Sequence, residues 1–370
     1  MIGAMGRAWI ATGLFAALLA GGLVNAPAGE GGEYTDYDEE LRIGTVIQRE
    51  LNPYEPSLIR AAGIDSVRFW LRWSQIESEP GEFDWVESDE AIRKIAGAGL
   101  TAVPFLFGTP VWVARHDFEC ERVDCSRYAP SSAETRAVFA EFAGAAVRRY
   151  GRDGTFWGAN PRVPYRPIRQ WQIWNEPNLQ EFWRPWVDAI GYGELVRMAA
   201  ERIRAEDRRA EVLLAGLSGS RTTATRWSPP TFLDRLYSVP GIEDSFDGVA
   251  LHPYASRPRG MMARINAARA MIAARDPDVD VWITEIGWAS SGPARWTLVK
   301  TLRRQADLLH RAFTRLIGHT DDWNLRGIYW YAWRDTDRAG AVCGWCARAG
   351  LRNSDGKAKP AYHELRRLTR

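Results

Sequence analysis

The chain has 370 residues, of which 46% are hydrophobic and 25% are charged, an ordinary composition for a globular protein. Its formal net charge is +2 and its arginines are scattered along the sequence, so nothing indicates binding to nucleic acid or to an anionic membrane surface. The 18 tryptophans are unusual, and many fall near predicted loops, which indicates a cleft lined by aromatic rings.

Residues 1–26 are predicted to be a secretory signal peptide. Arg7 is their only charge, an apolar stretch runs from Ala8 to Leu19, and small residues precede a plausible cleavage point after Ala26. An uncleaved membrane anchor is the alternative, since the segment from Ala8 to Val24 is barely long enough to span a bilayer. In both cases the folded part would face an oxidising exterior, and we expect a secreted or extracytoplasmic protein.

Residues 27–40 are rich in Gly, Glu and Asp and are predicted to be a flexible N-terminal segment. From residue 41 onward, short apolar runs alternate with segments that carry apolar residues at helical spacing. The predicted strands are 41–47, 66–71, 101–107, 168–174, 211–215, 246–251, 279–284 and 327–333. The predicted helices are 56–62, 90–98, 131–150, 191–205, 230–237, 261–274, 298–317 and 361–368. For the helix at 131–150, Ser131 or Ser132 is the expected cap and Gly151 the expected stop.

Eight strand–helix alternations predict an α/β fold, a single-domain (β/α)8 TIM barrel that spans residues 41–370. A doubly wound open sheet is the alternative. It is disfavoured because no glycine-rich phosphate loop follows the first predicted strand.

The four cysteines fall in two close pairs, Cys120 with Cys125 and Cys343 with Cys346. Four cysteines allow three connectivities, and local pairing in two loops is the simplest of them. Disulfides fit an exported protein. A four-cysteine zinc site is the alternative, and no thioredoxin-like context supports a redox role.

Polar and aromatic residues end several predicted strands. In a (β/α)8 barrel, catalytic residues lie at the C-terminal ends of the strands. The candidates at that rim are Arg68, Trp70, Asn175, Glu176, His252, Tyr254, Glu285, Trp288 and Trp333. Two of them, Glu176 and Glu285, are carboxylates next to tryptophans. Such a pair is the equipment for cleaving a glycosidic bond, and indole planes pack on the apolar faces of sugar rings.

These residues resemble motifs of the clan A glycoside hydrolases. Trp174-Asn175-Glu176-Pro177 is similar to the strand-four segment of the clan, and Thr284-Glu285-Ile286-Gly287-Trp288 to its strand-seven segment. Arg68, the His252-Pro253-Tyr254 run and Trp333 are similar to its strand-two arginine, strand-six His-x-Tyr and strand-eight tryptophan. The resemblance spans roughly residues 41–365.

Within the clan the chain is most similar to family 39, on the Arg72–Glu77 and Pro80–Trp85 segments and the Trp-Asn-Glu-Pro-Asn run. Xylosidases and iduronidases of that family carry an extra β-sandwich, whereas this chain ends at its barrel. We therefore expect the single-domain bacterial type that cleaves exopolysaccharides. Families 5 and 51 remain alternatives, with β-glucanase and α-L-arabinofuranosidase activities.

The resemblance implies that Glu176 is the general acid and then the general base, and that Glu285 is the nucleophile. Arg68 and Tyr254 are the candidates that would keep Glu285 ionised. The two carboxyl groups should lie about 5–5.5 Å apart, as retaining enzymes require.

The other candidates are predicted to bind the sugar. Asn175 would hydrogen-bond its 2-hydroxyl, and His252 would orient neighbours or donate to a hydroxyl. Trp333 is the predicted platform under the sugar that is cleaved. Flanking subsites are assigned to Trp112, Trp183 and Trp288.

No cofactor and no metal are expected, because the five histidines are dispersed and form no His-Glu-x-x-His motif. Ser218 lacks the context of a nucleophile elbow. We therefore predict a retaining hydrolase, expected to be a monomer, that acts on a β-linked oligo- or polysaccharide. The competing hypothesis is a catalytically inactive carbohydrate-binding barrel.

Overall fold

The strands are parallel and form a closed barrel. The computed structural model describes residues 41–122, 124–336 and 343–370, so the predicted signal peptide 1–26 and flexible segment 27–40 lie outside the described residues. The described strands are β1 (Arg42–Val46), β2 (Ser66–Arg72), β3 (Thr101–Phe107), β4 (Gln170–Ile173), β5 (Glu211–Leu214), β6 (Leu217–Ser218), β7 (Gly248–His252), β8 (Asp280–Ile286) and β9 (Leu325–Tyr331).

Neighbouring strands pair in the order β5-β4-β3-β2-β1-β9-β8-β7-β6, and a further pairing of β5 with β7 closes the ring. Strand β6 pairs with β7 beyond the end of β5, so β5 and β6 share one position in the barrel. The predicted (β/α)8 barrel is therefore confirmed. Strand β8 continues to Ile286, two residues past the predicted end, and Glu285 lies within it.

Helices surround the barrel and connect its strands. They are α1 (Glu55–Ala61), α2 (Trp73–Ile76), α3 (Val86–Gly97), α4 (Val111–Asp117), α5 (Ala133–Tyr150), α6 (Thr155–Ala159), α7 (Ala189–Glu206), α8 (Pro229–Leu236), α9 (Pro258–Ala273), α10 (Leu302–Ile317) and α11 (Pro360–Leu368). Helix α5 has the predicted cap, since the Ser132 hydroxyl accepts from the backbone nitrogen of Thr135. Helix α10 begins later than predicted because Thr301 caps its first turn. Helices α2, α4 and α6 were not predicted, because segments this short carry too little periodicity.

An apolar layer fills the barrel interior. Its members come from six strands: Val46, Val103, Leu213, Ala250, Trp282 and Tyr329. The indole of Trp282 fits only because glycines flank it, and a Cβ added at Gly248 would come within 2.9 Å of this ring. Side chains on a strand alternate, so the residues two positions further on point inward one layer nearer the C-terminal mouth. On β7 and β8 these residues are His252 and Thr284.

Two disulfides close loops at the C-terminal side of the barrel. Cys120 pairs with Cys125 after β3, and Cys343 pairs with Cys346 after β9, so the predicted local connectivity is confirmed. The four-cysteine zinc site is wrong, because each sulfur is bonded to its near neighbour. Among the described residues, no helix combines the length and apolar character needed to cross a membrane.

A buried ion pair fixes the segments that follow β8 and β9. Lys359 Nζ donates to Asp335 Oδ1 at 2.7 Å and to Ser290 Oγ at 2.9 Å. Asp335 Oδ1 also accepts from the backbone nitrogen of Gly350 at 2.8 Å. Both charged side chains are at most 4% exposed. Breaking a buried pair costs much more than breaking an exposed one, because the remaining charge stays desolvated.

The substitution Lys359→Met should lower the free energy of unfolding by about 3–5 kcal/mol, since it leaves the Asp335 carboxylate buried without its cation. The matched control is Lys357→Met, which removes an 80% exposed side chain paired with Asp355 and should cost at most about 1 kcal/mol. Guanidinium denaturation followed by tryptophan fluorescence measures both. Equal midpoints for the two variants would contradict the stabilising role of the buried pair.

Candidate active site

Five polar side chains meet at the C-terminal mouth of the barrel. Arg68 extends from β2, Glu176 follows β4, His252 ends β7, Tyr254 comes just after it, and Glu285 lies on β8. Arg68 Nη1 donates to Glu285 Oε1 at 2.7 Å across 217 residues of sequence, and the Tyr254 hydroxyl donates to Glu285 Oε2 at 2.7 Å. His252 Nδ1 lies 2.8 Å from Glu176 Oε1. Closure of the barrel therefore brings together polar residues that the sequence singled out separately.

The two carboxylates lie close together. One oxygen of Glu176, one oxygen of Glu285 and one ring nitrogen of His252 all lie within 4.8 Å of one another. Both glutamates are buried. Carboxyl groups of inverting glycosidases lie about 6.5–9.5 Å apart to admit a water molecule, whereas those of retaining enzymes lie about 5–5.5 Å apart. The closest oxygens of the two glutamates thus lie within 4.8 Å of each other.

Arg68 organises the Glu285 side of the site. Its side chain is fully buried, and its guanidinium donates to Gln172 Oε1 at 2.6 Å, to Glu285 Oε1 and to Asn175 Oδ1 at 2.9 Å. The same group lies 4.1 Å above the centre of the Phe105 ring. The guanidinium thus joins residues of β3, β4 and β8 to β2 through one buried side chain.

The environment of His252 keeps this ring neutral. Burial lowers its pKa to about 3, and the Arg68 charge adds to this while the Glu285 charge opposes it. Gly216, between β5 and β6, makes room for the ring, since a Cβ at that position would overlap it. The gap between β5 and β6, where Gly216 lies, therefore provides the space that the His252 ring occupies.

A chain of hydrogen bonds selects one tautomer of His252. Arg68 can only donate, so the Gln172 amide must turn its Oε1 toward Arg68. The amide Nε2 then faces the Thr284 hydroxyl, and the two atoms are 3.5 Å apart. The Thr284 hydroxyl accepts there and can donate to His252 Nε2, 3.0 Å away. A neutral ring that accepts at Nε2 carries its proton on Nδ1, and this proton points at Glu176.

Glu176 is held in an unusual local conformation. It and Trp174 both have positive φ, at 44° and 73°, a region that non-glycine residues seldom occupy. Such backbone costs about 1–3 kcal/mol per residue and tends to occur at functional sites. Burial raises the pKa of Glu176 to about 7, although the Ser218 hydroxyl and the Arg68 charge oppose the shift. A carboxyl group with that pKa can both donate and accept a proton near neutral pH.

Three of the four tryptophans that were predicted to bind sugar are buried and pack against other aromatic rings. Trp288, Trp333 and Trp183 are buried, and their rings pack against Trp330, Tyr362 and Trp174 respectively. Trp112 is half-buried, and its indole nitrogen donates to the backbone oxygen of Glu77.

Trp70 is a partly exposed indole at this mouth. It lies two residues beyond Arg68 on the same face of β2 and is 38% exposed. Its ring packs on Phe105 and Phe107, and its nitrogen donates to the backbone oxygen of Phe107. The indole is therefore held rigidly while part of it faces the cleft.

The sequence analysis did not assign four residues that border the site. Gln172 and Thr284 carry the hydrogen bonds that orient His252, and Tyr331 and Trp345 pack around Tyr254. The signal for the first two was a polar residue inside an otherwise apolar strand. No local signal distinguishes Trp345 from the other tryptophans.

Three of the site residues could offer ligand atoms to a metal ion, namely Glu176, His252 and Glu285. Arg68 already neutralises Glu285 at 2.7 Å, and its charge would repel a divalent cation from the same position. The arrangement is therefore better suited to proton transfer and nucleophilic attack than to metal binding.

Neither a family model nor a curated protein matches the sequence, but solved structures match its fold. A family 39 glycoside hydrolase from Bacteroides cellulosilyticus is 18% identical with a TM-score of 0.67, over 90% of this chain and 64% of that one. A family 39 β-xylosidase from Caulobacter crescentus is 20% identical with a TM-score of 0.63, over 90% of this chain and 71% of that one.

A family 5 glycoside hydrolase from Bifidobacterium longum, in complex with Manβ1-4GlcNAc, is 13% identical with a TM-score of 0.63, over 89% of this chain and 78% of that one. The chain thus spans 64% to 78% of the length of these three proteins. At these identities the likeness confirms the barrel fold.

The ring of His252 should remain neutral with its proton on Nδ1 between pH 5 and pH 8, because burial lowers its pKa to about 3. Nitrogen-15 NMR of histidine-labelled protein measures this, with the His252→Asn variant used to assign the signals. Thr284→Val should weaken the tautomer preference, since it removes the donor to Nε2. A protonated ring at pH 6, or a proton on Nε2, would contradict the derived network.

Proposed function

We propose that the protein is a retaining glycoside hydrolase of clan A, most similar to family 39, that cleaves a β-linked oligo- or polysaccharide by double displacement. The observation that carries this proposal is a pair of buried carboxylates in opposite electrostatic environments. Glu285 is bound by Arg68 and Tyr254, whereas Glu176 is desolvated beside the neutral His252. The fold likeness to glycoside hydrolases supports the assignment.

In the first step, Glu285 attacks the anomeric carbon while Glu176 protonates the leaving oxygen. Burial raises the pKa of Tyr254 well above its ordinary value, so its phenol stays protonated and donates to Glu285. Arg68 donates to the same carboxylate and orients it. The bond that forms joins Glu285 to the sugar, and the bond that breaks joins the sugar to its leaving group.

In the second step, Glu176 acts as the base. Formation of the ester removes the negative charge of Glu285, so Arg68 is left to stabilise the carboxylate of Glu176. The Nδ1 proton of His252 points at that carboxylate and supports it. Glu176 takes a proton from a water molecule, the water attacks the anomeric carbon, and Glu285 is released.

The sugar would be held by polar and aromatic groups at the same mouth. Arg68 holds Oδ1 of Asn175, so we assign the Asn175 amide nitrogen to the sugar 2-hydroxyl. We assign the exposed indole of Trp70 to a neighbouring sugar ring. The two disulfides support secretion into an oxidising compartment.

Glu285→Gln should lower kcat by about 10³-fold or more on all glycosides, because an amide cannot form the ester. Glu176→Gln should lower kcat about 10²–10⁴-fold on substrates with poor leaving groups, yet spare much of the first step on dinitrophenyl glycosides. Azide should accelerate Glu176→Gln only, since it attacks the intermediate without a base. Release of reducing sugar and of aryl alcohol measures all three effects.

The control is Glu82→Gln, an exposed carboxylate in the loop after β2, which should match wild type. If wild type turns over no glycoside in a broad panel but binds oligosaccharides, the protein is a binding barrel and the catalytic proposal is wrong. If Glu285→Gln retains wild-type rates, the assignment of the nucleophile is wrong.

The kcat/KM of wild type should fall as the pH rises through about 7. Glu176 must be protonated to act as the acid, and burial raises its pKa to about 7, so the active form is present below that pH and lost above it. The measurement is a pH profile from pH 4 to pH 9. Glu176→Gln on a dinitrophenyl glycoside should lack this alkaline limb, and a limb that persists there would belong to another group.

A further inference from the structure

The loop after β9 carries a tryptophan, Trp345, that packs near Glu285. Trp345 lies between Cys343 and Cys346, which are joined by a disulfide, and a short 3-10 helix spans Cys346–Arg348. The side chain is 7% exposed. It packs with Ala289, which follows β8, and so contacts the segment that continues from Glu285.

Three aromatic rings, Tyr254, Tyr331 and Trp345, form a cluster that we call the aromatic support. The ring centres of Trp345 and Tyr254 are 4.8 Å apart, those of Trp345 and Tyr331 are 5.8 Å apart, and those of the two tyrosines are 6.3 Å apart. All three pairs are edge-to-face, a favourable arrangement for aromatic rings. The Tyr254 hydroxyl at the front of this cluster donates to Glu285 Oε2 at 2.7 Å.

The position of Tyr254 depends on this packing, because it lies past the end of β7 and outside the regular sheet. Its backbone nitrogen is bonded only locally, to the oxygen of His252. Trp345 makes the shortest of the ring contacts described for Tyr254. Removal of the Trp345 ring would therefore leave a space into which Tyr254 can turn.

The loop that carries Trp345 is itself fastened at several points. The disulfide closes it, and the backbone nitrogen of Cys346 lies 3.1 Å from Cys343 Sγ. The backbone oxygen of Arg348 accepts from the Ser290 nitrogen at 2.9 Å and from Lys359 Nζ at 3.2 Å. Covalent and buried polar links thus hold the described part of this loop in place.

We propose that Trp345 is a positioning residue for the nucleophile, which acts by holding Tyr254 on Glu285, and that the Cys343–Cys346 disulfide holds Trp345 in that position. This inference rests on the proposed glycosidase function. The disulfide would then act on Glu285 through the ring contact of Trp345 with Tyr254 and the hydrogen bond of Tyr254 to Glu285.

The charged and polar groups that face Glu285 are Arg68 from β2, Glu176 after β4, His252 and Tyr254 from β7 and the segment after it, and Tyr331 from β9. With Tyr254 turned away, the Glu285 carboxylate loses the donor at Oε2 and keeps only the Arg68 donor at Oε1 among the hydrogen bonds described above.

The test compares Trp345→Ala, Trp345→Phe and the double variant Cys343→Ser/Cys346→Ser with wild type. The matched control is Cys120→Ser/Cys125→Ser, which opens the other rim disulfide. Trp345→Ala and Cys343→Ser/Cys346→Ser should lower kcat on an aryl glycoside about 10- to 100-fold, with KM changed less than about threefold. Trp345→Phe and the control variant should stay near wild type.

A crystal structure of Trp345→Ala gives a readout independent of turnover. The distance from Tyr254 Oη to Glu285 Oε2 should open beyond about 3.5 Å, where no hydrogen bond remains. A distance still near 2.7 Å, or a kcat no lower than that of wild type, would overturn the inference. A wild type no faster than Glu285→Gln would instead overturn the proposed function.

Discussion

A single buried guanidinium is the constraint on which the site depends. Arg68 lies inside the barrel, where burying a charge is costly unless every neighbour is arranged to receive it. It donates to Gln172 and Asn175, at the end of β4, and to Glu285 on β8, and it lies over the ring of Phe105 on β3. One ion thus fixes side chains from three other parts of the barrel.

The same ion separates the behaviour of the two glutamates. Glu285 accepts a hydrogen bond from the guanidinium, whereas Glu176 contacts the uncharged ring of His252. Burial raises the pKa of Glu176 to about 7. The tautomer of that ring follows from Arg68 as well, through Gln172 and Thr284. Two identical side chains close to each other therefore have different surroundings, because the guanidinium hydrogen-bonds directly to Glu285 whereas Glu176 contacts a neutral ring.

The strands deliver part of the site, and the rim loops complete it. Tyr254 and Trp345 lie outside the sheet, so their placement depends on ring packing, a disulfide and the buried pair of Lys359 with Asp335. These links lie at the C-terminal side of the barrel, where the loops must hold a defined shape around the carboxylates. Rigid support of this kind is what positioning of a nucleophile requires.

The sequence determined the barrel, because alternating apolar runs and helical periods are local patterns that extend over the whole chain. It also determined the candidates Glu176, Glu285, Arg68, His252 and Tyr254, because polar residues at the ends of apolar strands are visible in one dimension. The resemblance predicted that Arg68 and Tyr254 serve Glu285, but only the tertiary structure decided that His252 contacts Glu176. It also decided that Trp70 is exposed whereas Trp288 and Trp333 are buried. These outcomes depend on distances between residues as far as 217 positions apart, which are set by barrel closure and not by any local pattern.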